Sequence, residues 1–67
     1  MTIPSHLDTF VTDTLVFEPQ LAINRRTMEP AIFARVIDRQ SGRVIETRLF
    51  QEYGEYLAFV EQRAMQG

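Results

Sequence analysis

Asp38-Arg39-Gln40-Ser41-Gly42-Arg43 lies between the runs Ala31-Ile32-Phe33-Ala34-Arg35-Val36-Ile37 and Val44-Ile45-Glu46-Thr47-Arg48-Leu49-Phe50. Its residue types specify a chain reversal. Asp38 can bond the backbone ahead of it, Ser41 does so more weakly, and Gly42 enters positive φ without a Cβ clash. Two β-favouring runs joined in this way read as a β-hairpin with four intervening residues. With Asp38 opposite Arg43, the register pairs Arg35 with Glu46, Val36 with Ile45 and Ile32 with Leu49. One face then carries Ile32, Ala34, Val36, Ile45, Thr47 and Leu49, and the other carries Phe33, Arg35, Ile37, Val44, Glu46, Arg48 and Phe50. A three-residue loop with a bulge at Gly42 would instead shift the register by one and mix the two sets.

Upstream, Leu15, Phe17, Leu21 and Ile23 share one parity while Glu18, Gln20 and Ala22 take the other, the alternation of a half-buried strand. Pro19 lacks a ladder donor, which makes this segment an edge strand, a bulged strand or two short pieces. Arg25 to Pro30 forms a polar connection to the hairpin. Residues 1–13 read as an N-terminal arm, either flexible or folded into one short helical turn presenting Leu7, Phe10 and Val11 at i, i+3 and i+4. Downstream the period changes. Tyr53, Tyr56, Leu57, Val60 and Ala64 follow helical spacing, with Glu52 and Glu55 near the start and Arg63 near the end suiting the macrodipole. The expected architecture is α+β in the order β-β-β-α. A small antiparallel sheet carries a C-terminal helix on one face, with residues 14–67 as one domain.

Composition narrows the function classes. The chain of 67 residues has no cysteine, which removes disulfide staples and thiolate chemistry and suits a reducing cytoplasm. All seven basic side chains are arginines, against nine carboxylates, for a net charge of −2. A bulk polycation for nucleic acid is absent, so such binding would need a local patch, for which Arg25, Arg26 and Arg48 are the candidates. No apolar run approaches the roughly 20 residues of a membrane span. The first thirteen residues lack the basic start and apolar block of a secretion signal.

No constellation of reactive groups emerges. Ser5, His6 and Asp8 could imitate a nucleophile relay, but three side chains within four residues of an arm do not make a fixed pocket. Glu46, Glu52 and Glu55 could pair as acid and base or hold a cation. Carboxylates at a helix start are, however, what capping favours, and neither a second histidine nor an Asp-rich loop completes a metal shell. The expectation is a non-enzymatic protein with no cofactor, no metal and no small-molecule substrate.

A sheet with one helix buries only one of its faces. Phe33, Ile37, Val44, Phe50 and the off-stripe Phe59 are therefore the candidate partner-binding residues, unless the arm or the Leu15 to Ile23 strand folds over them. The simplest partner is a second copy, giving a homodimer. A regulator or phage-type inhibitor that binds nucleic acid, or an enzyme acting on it, through the arginine patch is the alternative.

Taken together, Leu15-Val16-Phe17-Glu18, the run from Ala31 through Asp38-Arg39-Gln40-Ser41-Gly42-Arg43-Val44-Ile45, and a C-terminal helix resemble the FlaG type of small flagellar proteins. Leu15 and Phe17 match that family's opening strand, and Asp38, Ser41, Gly42, Val44 and Ile45 match its turn and following strand. The Ile-Pro pair that precedes the helix in the family is absent from Thr47-Arg48-Leu49-Phe50. The resemblance implies a non-enzymatic protein connected with flagellar filament assembly or length, and it transfers no catalytic residue.

Overall fold

A computed structural model describes residues 6–66. Four strands, β1 (Phe10–Val11), β2 (Leu15–Asn24), β3 (Glu29–Asp38) and β4 (Val44–Phe50), precede one helix, α1 (Tyr53–Gln66). The strands form an antiparallel sheet in the order β1-β2-β3-β4. The α+β class and the C-terminal helix on one face are as expected. The additional strand is β1, where the arm adds an edge instead of a helical turn.

The hairpin turn follows the residue chemistry. Asp38 Oδ2 accepts from Ser41 Oγ at 2.8 Å and Ser41 N at 3.3 Å, and Asp38 N donates to Arg43 O at 2.8 Å. Gly42 takes a φ of 74°, the left-handed conformation that a Cβ disfavours. Hydrogen bonds from Ser41 hold the Asp38 carboxyl below its ordinary pKa. Asp38 thus stands opposite Arg43, and Ile37 opposite Val44, as expected. A bulge between Val36 and Ile37 then inserts Ile45, so Val36 meets Glu46, Arg35 meets Thr47, Phe33 meets Leu49 and Ile32 meets Phe50. One extra residue moves Glu46, Arg48 and Phe50 onto the same face as Ile32, Ala34 and Val36.

That face is the core. Phe17, Ile32, Ala34 and Val36 from the sheet pack with Tyr56, Phe59 and Val60 from α1, bordered by Leu7, Phe10, Leu15, Phe50 and Tyr53. Phe59 sits edge-on to Phe17 at 6.0 Å and tilted against Phe50 at 5.3 Å. The buried stripe of the helix thus includes Phe59, whereas Leu57 and Ala64, expected on it, are exposed. Glu55 Oε1 reaches back to Gln51 N at 3.1 Å and Glu52 N at 3.4 Å, completing a capping arrangement before the first turn.

Pro19 governs the outer edge. Thr12 N donates to Leu15 O at 2.8 Å, so the backbone of Leu15 is turned toward β1. Antiparallel alternation then turns Phe17, Pro19, Leu21 and Ile23 outward too, and leaves every inward donor to β3. The register that pairs Phe10 with Phe17 would set Asp8 opposite Pro19. With no N–H there, β1 stops. Asp8 O is met instead by the Tyr56 hydroxyl at 3.0 Å. Beyond Val16 and Phe17, β2 pairs among the described residues only with β3, and the β2–β3 hairpin contributes to a long molecule of 35 × 19 × 19 Å.

Candidate functional site

Alternation in the three long strands assigns Val16, Glu18, Gln20 and Ala22 of β2, Phe33, Arg35 and Ile37 of β3, and Thr47 and Leu49 of β4 to the side opposite α1. Two apolar groups form there. Ile37 is flanked by Val16 and Val44 at one end, and Phe33 faces Leu49 at the other. Between them Arg35 Nη2 donates to Glu18 Oε1 at 2.6 Å. The Glu18 partner replaces the expected Glu46, because the Ile45 bulge carries Glu46 to the other side. Both side chains of the pair are nearly half exposed, so it contributes a few tenths of a kcal/mol at most. Val44 and Leu49 are each 48% exposed, while Phe33 and Ile37 are half-buried by their strand neighbours.

The described part of the arm does not cover this surface. Leu7 and Phe10 pack on the core side, where Phe10 lies 5.9 Å from Tyr56. Tyr53 Oη donates to Asp8 Oδ2 at 3.1 Å, and the buried Tyr56 hydroxyl shares its proton between Asp8 O at 3.0 Å and Phe17 O at 3.2 Å. Burial pushes the Tyr56 hydroxyl well above the usual tyrosine range, with Tyr53 and Asp8 adding to the shift, and Tyr53 moves in the same direction for the same first reason. The helix and the described part of the arm therefore share one side of the sheet, and among the described residues nothing lies over the other.

Of the expected partner-binding residues, Phe33, Ile37 and Val44 share the open side. Phe50 and Phe59 do not. They pack against each other in the core, Phe50 through the bulge and Phe59 through the rotation of the helical stripe. The arginine patch is divided likewise. Arg25 and Arg26 lie exposed in the turn after β2, where Asn24 Oδ1 accepts from Arg26 N at 2.9 Å. Arg48 stands opposite Ala34 on the helix side, bonded to Glu46 Oε2 at 2.8 Å with its guanidinium 5.5 Å from the Phe59 ring centre. Ala34 is five residues along β3 from Glu29, so about 16 Å of strand separates Arg48 from the turn.

The other singled-out groups have local partners. Glu46 also pairs with Arg63 of α1. Glu55 caps the helix. His6 Nε2 lies 3.4 Å from Asp8 Oδ1, both side chains are mostly exposed, and Ser5 lies outside the described residues. Among the described residues no group of three His, Asp or Glu side chains is placed to hold a metal ion. A surface hollow lined by Asp13, Thr14, Asp38, Arg39 and Gln40 brings together turn residues only. A second, lined by Thr9, Glu18, Pro19, Gln20 and Arg35, lies where β1 ends.

Leu49 escaped the sequence reading because the expected register set it opposite Ile32, on the other side. Leu21 and Ile23 share the parity of Leu15 and Phe17 but, each 62% exposed, extend beyond the cover of α1. Among the described residues no helix is long and apolar enough to cross a membrane. The chain matches no known protein family, no characterised protein and no solved structure.

Proposed function

We propose that this chain is a non-enzymatic protein-interaction module that offers the open side of its sheet to a protein partner in the cytoplasm. The observation that carries this reading is the shared side of helix and arm. The helix and the described part of the arm both pack on the core side around Phe17, and among the described residues nothing lies over Phe33, Ile37, Val44 and Leu49, which surround one ion pair. Apolar groups clustered on one exposed surface mark a contact site more often than scattered ones do. The resemblance to FlaG-type proteins gives that partner a class, a component of flagellar filament assembly.

Photo-crosslinking tests both parts. A benzoylphenylalanine at Leu49 in the source organism is expected to yield a covalent adduct with a filament-assembly protein, and the same probe at Leu57 on the exposed helix surface is not. Adducts of equal yield from both positions, or none from Leu49, would overturn the docking surface. An adduct with an unrelated protein would remove the flagellar assignment alone.

A second reading, nucleic-acid contact by a regulator, rests on Arg25 and Arg26 side by side in an exposed turn. It predicts retention on a nucleic-acid column at moderate salt that is lost in the Arg25→Ala, Arg26→Ala variant.

A further inference from the structure

The outer edge of β2 beyond β1 is a run of backbone with a defined alternation. Leu21 and Ile23 turn both N–H and C=O outward, and among the described residues no strand lies beside them. Their side chains, each 62% exposed, lie on the helix side of the sheet, beyond the helix. An unpaired edge with apolar side chains is a template for another strand.

We propose that two copies of this chain pair through this edge, antiparallel, about a twofold axis at Ala22. The assignment rests on the reading of the chain as an interaction module but uses a different surface from the open sheet side. Parity and Pro19 select the register. Hydrogen-bonded pairs must join outward-facing residues, so Leu21 can meet Ile23 or another Leu21 of the second copy. Pairing Leu21 with Leu21 would set Ile23 against Pro19, which has no donor. Pairing Leu21 with Ile23 satisfies the outward N–H and C=O of both residues in both copies, places Pro19 past the last bond, and brings the small Ala22 side chains together at the close central pair. Leu21 and Ile23 of one copy then bury against Ile23 and Leu21 of the other.

Charge agrees with this register. It carries Arg26 of each copy to the end of β1 in the other, beside Thr9 and the Glu18 carboxylate that already accepts from Arg35, where a second guanidinium adds to that contact. The contact is isologous and closes after two copies.

The chain has no cysteine, so a single introduced thiol reports the register directly. Ala22→Cys, oxidised with diamide, is expected to become a covalent dimer in high yield, because a central antiparallel pair sets its Cα atoms about 4.5 Å apart, within disulfide range. Gln20→Cys alone is expected to stay uncrosslinked. Mixed with Asn24→Cys, which this register sets opposite it, it is expected to crosslink. Ile23→Pro removes one outward donor per copy without touching the β2–β3 ladder, and is expected to weaken sedimenting dimers by about tenfold or more. A crosslink at Phe33→Cys with none at Ala22→Cys would overturn the edge contact while leaving the open side as the docking surface. A monomer at 100 μM, on the order of ten times a weak dimer's dissociation constant, with no crosslink at position 22, would overturn the edge contact whatever the Leu49 probe captures.

Discussion

The covered and open sides of the sheet are built from alternate residues of the same strands, so they differ only in what each parity presents. On the covered side Phe17, Ile32 and Val36 pack in a cluster with aromatic rings from α1 and β4 and reach zero exposure. On the open side Phe33, Ile37 and Leu49 are interrupted by Glu18 and Arg35, and nothing from the described residues lies over them. Both sides are rich in apolar residues. The difference lies in which side receives the amphipathic helix, and the Ile45 bulge contributes to that choice by adding Phe50 to the parity of Ile32. Apolar content therefore marks two candidate cores, and one inserted residue helps decide which becomes the interior.

The comparison breaks most visibly at Phe17. Phe17→Ala is expected to cost about 3 to 5 kcal/mol, enough to unfold most of a domain this small, read as lost far-UV ellipticity at room temperature. Retention of a cooperative urea transition near the parent midpoint would mean that the covered side is not the interior.

Tyr56→Phe removes the hydroxyl shared by Asp8 O and Phe17 O and is expected to cost about 0.5 to 1.5 kcal/mol in chemical denaturation. Its amide-exchange signature should be loss of protection at β1 in particular. The pH dependence sharpens this prediction. The folded protein holds the Tyr56 proton more tightly than the unfolded chain does, so the unfolded state binds fewer protons as pH rises past about 10. Stability is therefore full below that pH and declines above it. The decline should be shallower in Tyr56→Phe, and equal alkaline slopes in the two proteins would contradict the burial of this hydroxyl.

Met28 occupies a left-handed conformation at φ 60°, 74% exposed, where a side chain gains nothing from packing. Met28→Gly is expected to raise the urea midpoint, with a gain of up to about 1 kcal/mol from relief of backbone strain. The smallest effect belongs to the open side. Leu49→Ser should change stability by no more than about 0.5 kcal/mol, because half of its surface is already in water. A loss as large as that of a core leucine would show that the open side is closed in solution.

Turn and period were legible in the residues. Asp38, Ser41 and Gly42 specify the reversal through their own hydrogen bonds and φ, and the change from period 2 to helical spacing after Phe50 places the helix. The bulge was not legible, since Ile45 is an ordinary strand residue whose type does not mark a doubled position. That single slip reversed the sides of Glu46, Arg48, Leu49 and Phe50, and with them part of the expected site. The arm was obscure for a similar reason. Only two of its residues pair, and its anchor is a pair of tyrosine hydroxyls some 45 to 48 positions away. Ile37 and Val44 were identifiable because they lie between the turn and the bulge, where the register that the turn dictates holds, and Phe33 because the alternation of β3 itself is uninterrupted.

Pro19 also sets where one molecule ends and the next can begin. A residue with an amide hydrogen at that position would offer Asp8 a bond and let the arm zip onward along the margin of the sheet, consuming it internally. By halting that zipper after two residues, a single imino acid leaves the remaining margin without a neighbour among the described residues, so the proposed twofold contact and the reach of the arm hang on the same missing hydrogen.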